Sequence, residues 1–163
     1  MKIKMVTTYL YEFAKESNQI EGINSARRHK IHEEALRKFL QLDHVQIPQL
    51  DAFVKKIEPS AFLRTDPKHR VWIGGKEAPS ANESYQMLGG LLCEVENLTK
   101  DPWEVHCEYE HIHPFIDGNG RSGRALWLWM MVRRGYDLRY KFLQMFYYQT
   151  LSQQRANHAI KED

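Results

Sequence analysis

The chain has 163 residues, 42 % of them apolar and 27 % charged, with a formal net charge of only +2. That length suits one domain around one core, and the charge balance supplies no long-range pull towards nucleic acid or anionic lipid. Two cysteines outside any Cys-x-x-Cys pair argue against a disulfide framework, and the longest apolar run, Ala125 to Val132, is far too short to span a bilayer. The basic start lacks the apolar core of a signal peptide. The expectation is a soluble cytoplasmic protein over residues 1–163, with neither nucleic acid nor a membrane as partner.

In chain order, Tyr9, Leu10, Phe13, Ala14 and Ile20 recur at helical spacing, and Gly22 is placed to end the first helix. Ser25 is a candidate N-cap for a second helix reaching about Leu40, and Pro48 fits the first turn of a third ending near Ile57. Ser80 to Leu98 reads as a fourth helix, and Pro102 opens a fifth that should end near His111. A sixth runs from about Asn119 to Arg134 before Gly135, and a last one covers roughly Lys141 to Asn157. The basic pairs Arg27-Arg28 and Arg133-Arg134 fall in helical patterns and read as solvated faces. Trp127 and Trp129 read as core. The pattern is all-α with one interruption. His69 to Pro79 surrounds a Gly74-Gly75 pair with β-branched and aromatic residues, which predicts a short hairpin over residues 70–78. A lone hairpin is marginal in water and must lean on the helices.

The chemistry concentrates in residues 113–124, His-Pro-Phe-Ile-Asp-Gly-Asn-Gly-Arg-Ser-Gly-Arg. Gly118-Asn119-Gly120 is a glycine-rich turn leading straight into a helix. The unpaired N–H groups and positive dipole end of such a helix bind phosphate. Arg121 and Arg124 are three apart, on one face of the first turn, where two guanidinium groups can clamp one polyphosphate. Asp117 is a candidate ligand for Mg²⁺ bridging phosphate oxygens, and His113 is a candidate general base. Phe115, set between polar candidates, reads as the anchor of the loop in the core. His106, Glu108, Glu110 and His111 crowd the same region but show no metal-ligand spacing of the His-Glu-x-x-His kind. Together these parts describe phosphate-centred transfer.

This stretch resembles the signature of the Fic family, His-x-Phe-x-(Asp/Glu)-Gly-Asn-Gly-Arg-x-x-Arg, with every defining position filled. Val71-Trp72-Ile73-Gly-Gly is similar to the family's hairpin flap, and Phe146 to Leu151 resembles its helix containing paired tyrosines. The resemblance implies a helical bundle with a single hairpin flap over the site. It implies a protein adenylyltransferase that moves AMP from ATP to a Ser, Thr or Tyr hydroxyl of a target protein and releases pyrophosphate. In that reading His113 is the base and Asp117 holds Mg²⁺ or Mn²⁺. Gly118, Asn119 and Gly120 form the anion hole, and Arg121 and Arg124 hold the outer phosphates. Tyr148, in the Tyr147-Tyr148 pair, is a candidate contact to the nucleoside, with packing as the alternative for either tyrosine. The flap residues Val71, Trp72 and Ile73 would hold a target segment by strand addition. The Doc kinases of the same family carry a lysine where this chain has Gly120, which argues for nucleotidyl transfer over phosphorylation. The resemblance also accommodates assembly into an oligomer.

A second motif lies at the other end. Ser17-Asn-Gln-Ile-Glu21-Gly22 resembles the family's inhibitory motif, (Ser/Thr)-x-x-x-Glu-(Gly/Asn), which makes residues 1–22 an N-terminal inhibitory helix. Glu21 lies at the end of a helix, where the dipole disfavours a carboxylate without a cationic partner. Arg124 is the expected partner. Removal of AMP from a modified target and use of another nucleotide remain open on the same site. The rival of another class is a non-catalytic ATP-binding regulator, which needs neither His113 nor Asp117.

Overall fold

The computed structural model describes residues 2–135, with side chains from Tyr9 onward. Six helices and one hairpin form within them: α1 (Lys2–Ile20), α2 (Ala26–Phe39), α3 (Ile47–Ile57), β1 (Trp72–Ile73), β2 (Lys76–Glu77), α4 (Ala81–Glu96), α5 (Pro102–Ile112) and α6 (Asn119–Arg133). The expected last helix, with Tyr147 and Tyr148, lies outside the described residues.

Local chemistry explains most boundaries. Ser25 caps α2 through its hydroxyl, and Gln46 with Gln49 closes a capping box on α3 ahead of Pro48. Ser80 and Glu83 form the reciprocal box that starts α4. Asp101 caps α5, with Pro102 at its first position. Each helix lies within two residues of its expected bounds.

α6 sits at the centre, packed against α1, α2, α3 and α5. Its apolar half, Ala125, Leu126, Leu128, Trp129 and Met130, is buried, and so is its polar first turn. A helix buried on nearly all sides must satisfy its polar side chains internally, and this one does so mainly with residues at the ends of α1 and α3 and with Tyr109 of α5. Phe115 is fully buried, as its place in the loop suggests. Trp129 is core and donates Nε1–H to the Leu42 carbonyl at 3.0 Å, whereas half-buried Trp127 stacks on Phe13.

The solvated-face reading of the basic pairs needs correction. Arg28 reaches the Ile57 carbonyl and Glu58. Arg133 lies over the Trp129 ring and bonds the Leu42 carbonyl at 2.9 Å, and Arg134 bonds the Leu98 carbonyl at 3.0 Å. Arg27 is exposed, as a solvated face requires, and so is Arg133 apart from these contacts. Arg28, Arg133 and Arg134 tie helix ends to neighbouring loops, because guanidinium forks reach carbonyls left over where helices stop.

The hairpin pairs Trp72 with Glu77 and Ile73 with Lys76. Gly74 and Gly75 both have positive φ, +55° and +85°, the conformation a two-residue hairpin turn demands. One further antiparallel bridge, Leu63 to Phe115, ties the approach to the hairpin to the glycine-rich loop.

Candidate active site

The site forms where the α5–α6 loop meets the end of α1. His113 closes α5 in a left-handed conformation, φ 48° and ψ 61°, which aims its side chain out of the helix line. Its Nδ1 lies 3.3 Å from the Glu110 carbonyl. A carbonyl only accepts, so Nδ1 carries the proton and Nε2 is the basic nitrogen.

Asn119 fixes the loop that follows. It is buried, takes the Phe115 N–H on Oδ1 at 2.8 Å and gives Nδ2–H to the Phe115 carbonyl at 2.8 Å. Its side chain is thus committed to folding the loop, which leaves its backbone N–H for any anion hole. Gly118 caps α6 with φ +82°, and the first helical bond runs from Ser122 N–H to the Gly118 carbonyl at 2.9 Å. The N–H groups of Asn119, Gly120 and Arg121 therefore open the helix ahead of the intrahelical ladder, as an anion cradle requires. Ser122 hydroxyl, bonded to Tyr109 at 2.8 Å, braces this turn from below.

Asp117 is 62 % exposed at its side chain, and its Oδ1 accepts the Gly118 N–H at 2.6 Å. An exposed hard oxygen ligand beside a phosphate cradle fits Mg²⁺, which takes one or two carboxylates together with substrate phosphates.

The two arginines have different surroundings. Arg121 is buried, with Nη2 at 3.0 Å from Glu58 and 3.7 Å from Asp117. Glu58 also pairs with Arg28, and the two guanidinium groups hold its carboxyl below the ordinary glutamate range despite burial, which opposes the shift. Arg124 is 1 % exposed. Its Nε donates to Ser17 Oγ at 2.8 Å and its Nη2 to the Ser17 carbonyl at 2.8 Å and Glu21 Oε1 at 2.7 Å. The N-terminal motif and the glycine-rich segment, 103 positions apart at Glu21 and Arg124, thus meet as the sequence predicts. A β-carbon on Gly120 would lie 2.3 Å from Glu21 Oε1. The carboxylate therefore rests on the opening turn of α6, whose positive dipole end compensates for its poor position after α1. Gly22, with φ +74°, turns the chain away immediately afterwards.

Several residues escaped the sequence reading. Asn18 sits beneath the Glu21 turn and bonds two histidines of α2, Nδ2 to His29 Nδ1 and Oδ1 to His32 Nδ1, both at 3.1 Å. Burial, with Arg121 and Arg124 nearby, pushes His32 down to about 3. Glu58 and Arg64, described below, carry no motif. The flap residues lie on the hairpin as expected: Val71 precedes β1 and accepts the Ala78 N–H at 3.0 Å, Ile73 is half-buried, and Trp72 is 56 % exposed beneath Arg70. Tyr148 lies outside the described residues.

Comparison with known proteins accounts for this arrangement. A central helix opened by a glycine-rich loop, with one small two-stranded hairpin, makes a mostly helical fold of the Fic type. The chain belongs to the Fic/DOC family, whose profile matches residues 29–131. It is similar to the protein adenylyltransferase Fic of Drosophila grimshawi, 29 % identical over 134 residues, 74 % of this chain and 26 % of that protein. It is likewise similar to the protein adenylyltransferase Fic of Culex quinquefasciatus, 30 % identical over 132 residues, 74 % of this chain and 25 % of that protein. The chain spans about a quarter of the length of these relatives. A Fic domain containing signaling protein from Bacteroides thetaiotaomicron shares the fold, with TM-score 0.71 and 20 % identity over 92 % of this chain and 73 % of that one. The matched segment begins after the motif at residues 17–22, so α1 lies outside it. No helix among the described residues is long and apolar enough to cross a membrane.

Proposed function

We propose that this chain is a self-inhibited protein adenylyltransferase. The acceptor is a Ser, Thr or Tyr hydroxyl on a target protein. Its oxygen attacks the α-phosphorus of ATP, the bond to the β-phosphate bridging oxygen breaks, and pyrophosphate leaves. His113 takes the hydroxyl proton at Nε2, the nitrogen left basic by the Nδ1 contact. The N–H groups opening α6 hold phosphate oxygens, and Arg124 serves the outermost phosphate. Arg121, held by Glu58, lends positive charge from below. Asp117 would hold Mg²⁺ or Mn²⁺, which neutralises phosphate charge when bound.

The observation that carries the inhibited reading is the hold of Ser17 and Glu21 on Arg124. One buried guanidinium cannot serve both Glu21 and a γ-phosphate. The Glu21 carboxylate also lies on the same opening turn that would receive phosphate oxygens, and two anions cannot share it. ATP entering this form would lack its outer clamp and take an unproductive pose. Autolabelling with α-labelled ATP tests the proposal on the wild type, Glu21→Gly and Glu21→Gly/His113→Ala. The expected order is a nearly silent wild type, a strongly labelled single variant and a silent double variant. A Glu21→Gly chain no more active than the wild type, towards itself or any lysate protein, rejects self-inhibition.

A further inference from the structure

Arg64 is 1 % exposed and lies outside every recognised motif. Its hydrogen bonds run to four backbone carbonyls. Nε donates to His113 at 2.8 Å and Nη2 to Ile112 at 3.2 Å, at the end of α5. Nη1 donates to His69 at 3.2 Å and Nη2 also to Pro79 at 2.9 Å, the two feet of the hairpin. Its own backbone N–H donates to the Pro114 carbonyl at 2.9 Å. Burial lowers its pKa below that of an ordinary arginine, the direction expected for a cation removed from water. A buried cation is unfavourable without compensation, and here the carbonyl end of the α5 dipole supplies part of it.

The geometry has a functional reading. A guanidinium is planar and rigid, so groups bonded to its different edges keep fixed separations. One edge of Arg64 holds the backbone of His113, and another holds both strands of the hairpin where they leave the body. The hairpin makes a two-stranded sheet of very short strands, too small to hold its own orientation. We propose that Arg64 is a positioning residue that sets the height of the flap over His113, and thereby registers the acceptor hydroxyl on the base. The proposal rests on the reading of the chain as a transferase whose acceptor segment lies along the flap. A hydroxyl delivered by a protein segment depends on that register, whereas a water molecule reaching the same α-phosphorus does not.

The two acceptors provide the test. With Glu21→Gly as parent, protein labelling is compared with ATP cleavage by water to AMP and pyrophosphate, a reaction that needs the cradle and His113 but not the flap. In Glu21→Gly/Arg64→Lys the ammonium keeps the charge but cannot span both edges. Protein labelling should fall about tenfold or more beyond any fall in ATP cleavage, the scale expected when a reacting group is misplaced by a fraction of an ångström to an ångström. A second variant carries two glycines inserted between Ala78 and Pro79, which separates one foot of the hairpin from the Pro79 carbonyl that Arg64 holds and leaves Arg64 intact. It should show the same split, and it decides the matter if the lysine variant does not fold. An equal fall in both reactions, or no fall in either, overturns the proposal. A parent that labels no protein overturns the transferase reading and this proposal with it. A parent that labels normally beside variants with an unchanged ratio overturns this proposal alone.

Discussion

Ser17 grips Arg124 with two oxygens: Oγ accepts from Nε and the backbone carbonyl from Nη2, each at 2.8 Å. The hold on the arginine is therefore shared between a helix backbone and two side chains. Glu21 contributes one bond, and a third of its side chain remains in water. The α1 backbone supplies a grip that no side-chain substitution removes.

Graded release follows. Ser17→Ala takes away one of the three acceptors described for Arg124 and should give autolabelling between that of the wild type and Glu21→Gly. Loss of one buried bond to a charged group should also lower stability by about 1–3 kcal/mol. Urea unfolding and labelling, measured on the same samples, check both. Labelling by Ser17→Ala as strong as by Glu21→Gly would make the hydroxyl, rather than the carboxylate, the decisive element.

His113 should be tested as His113→Asn. The residue is left-handed, a conformation asparagine tolerates better than alanine, so the loop is preserved while the base is lost. In the Glu21→Gly background, transfer should drop by roughly 10²–10⁴-fold, the usual contribution of a general base, with ATP affinity unchanged. Equilibrium binding of a fluorescent ATP analogue and label transfer measure the two halves. Retained transfer removes His113 from the mechanism.

Asp117→Asn keeps an oxygen for the Gly118 N–H and removes the charge that would attract a divalent ion. On the Glu21→Gly parent, the Mg²⁺ concentration giving half-maximal labelling should rise by about tenfold or more, in line with losing a carboxylate ligand. Direct Mg²⁺ titration in the presence of a non-hydrolysable ATP analogue should shift alike. Identical curves for parent and variant exclude Asp117 as the ligand.

Stability should fall as pH drops. His32 and His106 are buried neutral, each pushed by desolvation to about 3 from an ordinary 6.5. Between these values the unfolded chain takes up protons that the folded chain refuses, so stability rises with pH. Each histidine contributes about 1.4 kcal/mol per pH unit, and the pair about 2.7 kcal/mol per unit near the middle of the range. Glu58 adds a separate term: its lowered pKa stabilises the fold above the ordinary glutamate value and is lost as pH falls below it. Urea unfolding free energies from about pH 7.5 to 4.5 should show the slope, reduced to roughly half in His106→Gln. A flat profile across that interval contradicts the buried neutral state.

The bond between Glu21 and Arg124 was legible because both ends are side chains in recognisable motifs, each short of a partner within its own helix. The helix bounds were legible for a similar reason, since Ser25, Ser80, Asp101 and the prolines act locally. Arg64 was not legible: its partners are carbonyls, which every residue carries, so no spacing marks them. Arg28, Arg133 and Arg134 escaped on the same ground. The structural use of the Asn119 side chain was hidden because a residue in a phosphate-loop motif reads as facing the ligand. Glu58 lay at a helix end with nothing in the chain nearby to name Arg121 as its partner.

Gly120 has a consequence for how such chains can diverge. The Glu21 carboxylate occupies the space that a β-carbon at position 120 would need. A side chain there, such as the lysine of the Doc-type signature, cannot coexist with the Glu21 carboxylate in its present seat, so the carboxylate must move aside. A lineage passing from one to the other must lose the glutamate, or unseat it, before the side chain arrives. If the proposed self-inhibition holds, each intermediate along that route lacks the Glu21 hold on Arg124, so a change at position 120 and the loss of self-restraint are inherited together.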